Sequence, residues 1–263
     1  MRGDNAPLWR FAGVRPTAFF FFAYLYLPII VLLVLSFNEN RTATIWTTFS
    51  THWYGVVLDN DNIIRAARNS AIVATSATIM ATIFATLAAL GMARSRFRGQ
   101  DAVSATIAMP LVVPEIVTAV ATLLFFVLIG LNLGLTTVFL AHTVFCIPFA
   151  YLPIRARLEG MDPALPEAAA DLYANEWQTF RRVTLPLLWP GVASGAMLAF
   201  IISLDDFVIT YFVAGAGATT LPVYIFGMIR IGISPEVNAV SALMLLVSIL
   251  FVSLSYLVGR MRR

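Results

Sequence analysis

The chain has 263 residues, of which 60% are hydrophobic and 12% charged, and its mean hydropathy is +0.85. That balance excludes an ordinary soluble domain and leaves room for about six membrane-crossing helices of about 20 residues each. The net charge is +3 and all 17 basic residues are arginine, which excludes chemistry built on a phosphate-loop lysine or a Schiff base; the single cysteine, Cys146, excludes an internal disulfide.

The N-terminal stretch is basic, with Arg2, Arg10 and Arg15 against Asp4. Residues 16–37 then run without a charge, too long for the apolar region of a signal peptide, and predict an uncleaved first span. Residues 38–68 are polar, and Trp46, His52, Trp53 and Tyr54 suit a membrane interface. Residues 69–93 form the second span, in which Ala77, Ala81, Ala85, Ala89 and Ala93 recur every fourth position and let another helix pack closely. The third span, 102–130, is interrupted by Pro110 and Pro114, with Glu115 directly after. On a straight helix that acid lies about 20 Å from the cytoplasmic end, at about 1.5 Å per residue. An acid at such a depth is expensive; it lines a pathway, is buried neutral, or pairs with an arginine of a partner.

Residues 136–154 are the fourth span, and 155–186 a polar loop. The fifth span, 187–208, carries a second small-residue stripe, Gly191, Gly195, Ala199 and Ser203, and then the acids Asp205 and Asp206. Adjacent helical residues point about 100° apart, so at most one of these two acids is expected to face a pore. Residues 208–221 are apolar but broken by Gly215 and Gly217, which suits a periplasmic or re-entrant segment, and 237–259 are the sixth span. His52 and His142 have no metal-binding spacing and read as structural. No second domain, low-complexity tract or internal repeat is visible. With the N-terminus inside, 13 arginines fall in cytoplasmic segments and four outside, which predicts both termini, and the 155–186 loop, in the cytoplasm.

Within that loop, Asp162, Pro163 and Pro166 precede Glu167 as a helix start, and acids follow in the first turns, where the helix dipole favours them. Asn175 marks a break before a short amphipathic run with Trp177, Phe180 and Val183, so the loop predicts a helix–turn–helix. Glu167-Ala168-Ala169, then Val183, Leu185 and Pro186 at fixed distances, resembles the EAA loop of permease subunits of type I ABC importers. Tyr173 stands where that family has glycine. Tyrosine disfavours the left-handed conformation, so the turn is expected to shift by a residue or two, toward Asn175.

The resemblance implies an all-α integral membrane protein with the six-helix type I importer permease fold in one domain, in the bacterial inner membrane. It implies ATPase coupling through Glu167, Ala168, Ala169, Asp171, Leu172, Tyr173, Leu185 and Pro186. Such a chain is not an enzyme: it binds no cofactor or metal, and ATP and Mg reside on a separate ATPase. The implied partners are a second homologous permease subunit, two ATPase subunits, a periplasmic substrate-binding protein and the lipid bilayer, with no nucleic acid.

The segment Ser203–Ala239, through Ser203-Leu204-Asp205-Asp206, Gly215, Gly217-Ala218-Thr219-Thr220-Leu221-Pro222 and Ser234-Pro235-Glu236-Val237-Asn238-Ala239, is similar to spermidine/putrescine permeases. Polyamines are polycations that need carboxylates or aromatic faces to replace water. Asp205, Asp206 and Glu115, with Phe207 and Tyr211, are therefore the expected substrate path, taken by alternating access. The alternative for Asp205 and Asp206 is to cap the fifth helix or meet the binding protein. Other classes stay open: a permease for a phosphonate, iron or an opine-like amino compound, which pore-mouth acids disfavour where the solute is anionic; a secondary transporter, which would respond to ionophores; or a membrane scaffold, which leaves Glu115 without purpose.

Overall fold

A computed structural model describes residues 13–42, 45–94, 97–232 and 234–260. Arg2, Asp4, Arg10, Arg96, Arg262 and Arg263 of the charge pattern lie outside the described residues. The described residues are helical apart from turns and one isolated β-bridge, Asn38 to Phe49. They fall into two units, one of residues up to 60 with 227–247 and the other of 61–226 with 248 onward.

In the first unit, α1 (Val14–Leu35) is apolar on every side and exposes its aromatic run on the single chain. It ends in a loop organised by Asn38, whose side chain donates to the Ile45 carbonyl and accepts from the Thr47 amide. Trp53, on α2 (His52–Asp59), closes that loop by donating its indole N–H to the Asn38 carbonyl at 2.9 Å.

The second unit is built on three long helices, α3 (Asp61–Arg94), α6 (Leu135–Glu159) and α9 (Leu185–Asp205), each packed on the other two. Small residues set that packing. Ala77, Ala81, Ala85 and Ala89 of α3 are buried, while Ala93, the last of the stripe, is exposed. Gly191, Gly195, Ala199 and Ser203 of α9 are buried too. A Cβ at Gly195 would sit 2.5 Å from the Ala150 carbonyl oxygen of α6, and one at Gly191 would sit 2.5 Å from Cβ of Arg157. The stripe is therefore the contact surface between α9 and α6, where only a missing side chain lets the backbones approach.

The 102–130 segment, expected as one span, is two helices, α4 (Gln100–Val112) and α5 (Glu115–Leu128), meeting at 110°. The cause is local. Pro114 lacks an amide hydrogen and pushes its predecessor out of the helical region, and Val113 and Pro114 both have ψ of 132°. Among the described residues, five helices are long and apolar enough to cross a membrane, and six if the bent pair counts as one span. After α9, α7 (Ala164–Asp171) and α8 (Glu176–Thr179) having preceded it, come α10 (Val208–Val213), α11 (Leu221–Ile231) and α12 (Pro235–Arg260).

Candidate functional site

The fifth span does not continue to residue 208, as a straight reading expects. α9 ends at Asp205, and Asp206 is extended, with φ −63° and ψ 125°. This turns its carboxylate back onto the first turn of α10, where it accepts from the Ile209 amide at 3.3 Å and the Thr210 amide at 2.9 Å. The Thr210 hydroxyl also donates to it, at 3.0 Å. The two adjacent acids thus have different settings: Asp205 is exposed and outside this network, whereas Asp206 is 7% exposed. Asp206 caps a helix, but the helix is α10, which follows it, and not the fifth span that precedes it.

The fourth partner comes from α6. His142 is 1% exposed, and its Nε2 lies 3.1 Å from Asp206 Oδ2 and 2.8 Å from the Thr210 hydroxyl, while its Nδ1 lies 2.8 Å from the Ser203 hydroxyl. One proton arrangement satisfies all of these atoms with a neutral ring. Thr210 gives its proton to Asp206, His142 donates from Nε2, and Ser203 donates to Nδ1. Glu115, the first residue of α5, completes the cluster, its carboxyl close enough to that of Asp206 for the two to interact. The 110° bend is what delivers it there, so a depth counted along a straight helix does not apply. Two neighbouring carboxyls repel unless a proton or a cation stands between them.

Beside the acids is an aromatic cluster. The ring of Phe207 lies 5.3 Å from Tyr211 and 4.6 Å from Phe226, and Tyr211 lies 6.0 Å from Phe226. The segment carrying them is anchored from three directions. Thr137 donates its hydroxyl to the Val213 carbonyl at 2.8 Å. Gly215 lies so close to the Leu133 carbonyl that no Cβ fits. Asn69 donates its side-chain N–H groups to the carbonyls of Gly217 and Thr219, each at 3.0 Å.

Of the expected path residues, the structure groups Glu115 with Asp206 and Phe207 with Tyr211. His142, Ser203, Thr210 and Phe226 belong to the same neighbourhood and escape a reading by motif. For His142 a signal existed: an ionisable ring within an apolar span is a candidate site by default. Removing it takes one of four hydrogen-bond partners from the buried Asp206 carboxylate. His142→Ala is expected to cost about 2 kcal/mol, read as a lowered unfolding midpoint in detergent, whereas His52→Ala, at an exposed position, is expected to stay within about 0.5 kcal/mol.

The 155–186 loop is the second candidate surface. Asp162 caps the entry to α7, its carboxylate accepting from the Ala164 amide at 2.9 Å. Glu167 is in the first turn and exposed with Ala168, Asp171 and Pro186, while Ala169 and Leu185 are half-buried. α7 ends with Ala174 N–H on the Ala169 carbonyl at 3.0 Å and Tyr173 N–H on the Ala170 carbonyl at 2.9 Å. That is a Schellman ending, which requires a left-handed residue between. Tyr173 is that residue, with φ of 60°, and is the one non-glycine with positive φ among the described residues. The turn is therefore not displaced toward Asn175. Asn175 instead starts α8, exchanging side-chain hydrogen bonds with Gln178 in a capping box. A π-helical turn, Phe180–Thr184, then joins α8 to α9 directly before Pro186, whose missing amide favours the wider turn.

The chain is similar to known transport proteins over nearly its whole length. Residues 81–263 match the family model described as "Binding-protein-dependent transport system inner membrane component". The "Spermidine/putrescine transport system permease protein PotC" of Escherichia coli (strain K12) is 40% identical over 91% of this chain and 90% of that protein. Its counterpart from Haemophilus influenzae is 43% identical over 92% of this chain and 94% of that protein. "Putrescine transport system permease protein PotI" of Escherichia coli (strain K12) is 39% identical over 85% of this chain and 82% of that protein. Among solved structures, a chain of "a bacterial ABC transporter involved in the import of the acidic polysaccharide alginate" superposes with a TM-score of 0.68 at 19% identity. That match covers 94% of this chain and 93% of the other. A chain of the "MetNI methionine ABC transporter" superposes with a TM-score of 0.64 at 21% identity, covering 75% of this chain and 94% of the other. Both show the type I importer permease fold.

Proposed function

Because the chain belongs to the family of binding-protein-dependent transport system inner membrane components, we propose that it is one permease subunit of an ATP-driven importer of polyamines, putrescine and spermidine. The observation that carries the substrate class is the Glu115–Asp206 carboxyl pair beside the rings of Phe207, Tyr211 and Phe226. An anionic solute is repelled by such a pair and a neutral one gains nothing from it. A flexible polycation places an ammonium between the carboxyls and neighbouring charge or methylene against the rings. The polyamine permeases that match at about two-fifths identity support the same class.

In this reading a periplasmic binding protein delivers the polyamine to the outer side. A second, homologous permease subunit completes the pathway. Two ATPase subunits dock on the cytoplasmic loop, bind ATP and Mg, and drive alternating access. The chain itself hydrolyses nothing and holds no cofactor or metal; with no lysine, it has no phosphate loop to do so. Both termini and the 155–186 loop are cytoplasmic.

The test is uptake of labelled putrescine and spermidine by cells deleted for this chain, with and without the wild-type chain restored. Restoration is expected to raise uptake of at least one polyamine tenfold or more above the deletion background. Uptake unchanged by restoration, with the chain present in the membrane, refutes the substrate class.

A further inference from the structure

The left-handed turn at the end of α7 holds a residue that nothing among the described residues explains. Glycine adopts φ of 60° freely, and a bulky residue does so against a steric penalty. A strained residue persists when its side chain is anchored by packing or when the side chain has work elsewhere. Packing is excluded, because Tyr173 is 96% exposed and its neighbour Leu172 81%. The backbone hydrogen bonds that shape the turn, from Tyr173 and Ala174 to Ala170 and Ala169, use no side-chain atom and would form equally well with glycine. The turn thus presents two adjacent apolar side chains at its tip, at the cost of a conformation that glycine would adopt without strain.

We infer that Tyr173, with Leu172, is the residue by which this permease selects its own ATPase, filling an apolar pocket on that subunit which a glycine-turn loop leaves empty. This rests on the docking reading above. The surroundings define the pocket. Residues 162–176 carry Asp162, Glu167, Asp171 and Glu176 and no arginine, and Glu167, Asp171 and Glu176 are all exposed. A surface that accepts this tip has an apolar floor and a basic rim. The tip is also continuous with the exposed Glu167–Ala168 face of the same helix, so one partner covers both.

The test titrates the importer's purified ATPase subunit onto vesicles holding the permease pair, reading the concentration that gives half-maximal ATP-driven uptake of putrescine or spermidine. Tyr173→Gly removes the ring and the strain together; Tyr173→Ala removes the ring and keeps a Cβ in the strained conformation. Both are expected to raise the half-maximal concentration about tenfold, while Tyr173→Gly unfolds at a temperature no lower than wild type. A higher affinity requirement in a chain at least as stable identifies the ring as the contact. Half-maximal concentrations within twofold of wild type for Tyr173→Gly overturn the inference, and so does impairment of the alanine variant alone, which would trace the effect to the backbone. Glu167→Ala in the same titration separates the two readings. If it uncouples ATP use while Tyr173→Gly behaves as wild type, docking stands and the role of Tyr173 falls; if neither has an effect, docking itself falls.

Discussion

Glu115→Gln and Asp206→Asn are each expected to reduce polyamine uptake tenfold or more, while Asp205→Asn leaves it within about twofold. Two charges about 4 Å apart interact by about 4 kcal/mol at the effective dielectric of a protein surface, and tenfold is about 1.4 kcal/mol, so losing one carboxylate from a cation site is large enough to see even after water refills it. Asp205 is the built-in control. It has the same charge and is adjacent in sequence, but is exposed and absent from the network of Ser203, Asp206, Thr210 and His142. Asp206→Asn carries a second effect, since an amide N–H would face donors from Thr210 or His142; its unfolding midpoint must be measured beside its uptake. Glu115→Gln is the cleaner variant, because Glu115 is exposed on the single chain and caps nothing. Equal, small effects of all three substitutions on uptake would remove the acids from the path.

The contrast between Asp205 and Asp206 also shows what could and could not be read before the structure. That two neighbouring acids should differ follows from helical geometry alone, and that expectation does not depend on where the helix ends. Which one is buried depends on the break after Asp205 and on His142, which comes from a helix more than sixty positions earlier in the chain. Long-range pairings of this kind leave no periodic signal. Local chemistry was legible: Asp162 before α7, Asn175 before α8, and the small-residue stripes of α3 and α9 are each written in a few adjacent positions. The bend at Val113–Pro114 was half legible. Two prolines announced an interruption, but whether a proline kinks a helix slightly or turns it by 110° is set by what α5 packs against, chiefly α10. Tyr173 was misread for an instructive reason. Steric preference alone moves the turn away from tyrosine, yet the hydrogen bonds that end α7 fix the turn at that position and the side chain accepts the strain.

Ala169→Arg is expected to abolish coupling, giving ATP hydrolysis without uptake, while the chain still inserts and folds. α7 is eight residues long and none of it is fully buried, so the fold has little at stake in its surface. What an arginine changes is the docking face. Glu167 and Ala168 are exposed beside it, and Ala169 is half-buried, so a long charged side chain must emerge across a surface otherwise made of methyl groups. It also puts a positive charge into a tip whose charges are all acidic. A partner pocket with a basic rim loses both shape and charge complementarity, and burying an unpaired charge at an interface costs several kcal/mol, enough for more than a hundredfold loss of affinity. Glu167→Ala removes attraction without adding a clash and should lose less, about tenfold in coupled uptake. The two variants therefore form an ordered pair, measured as polyamine transported per ATP hydrolysed in vesicles. Coupling intact in Ala169→Arg would mean that the ATPase grips this subunit elsewhere, and would leave the acid pair as the sole support for a transport role at the level of this chain's own residues.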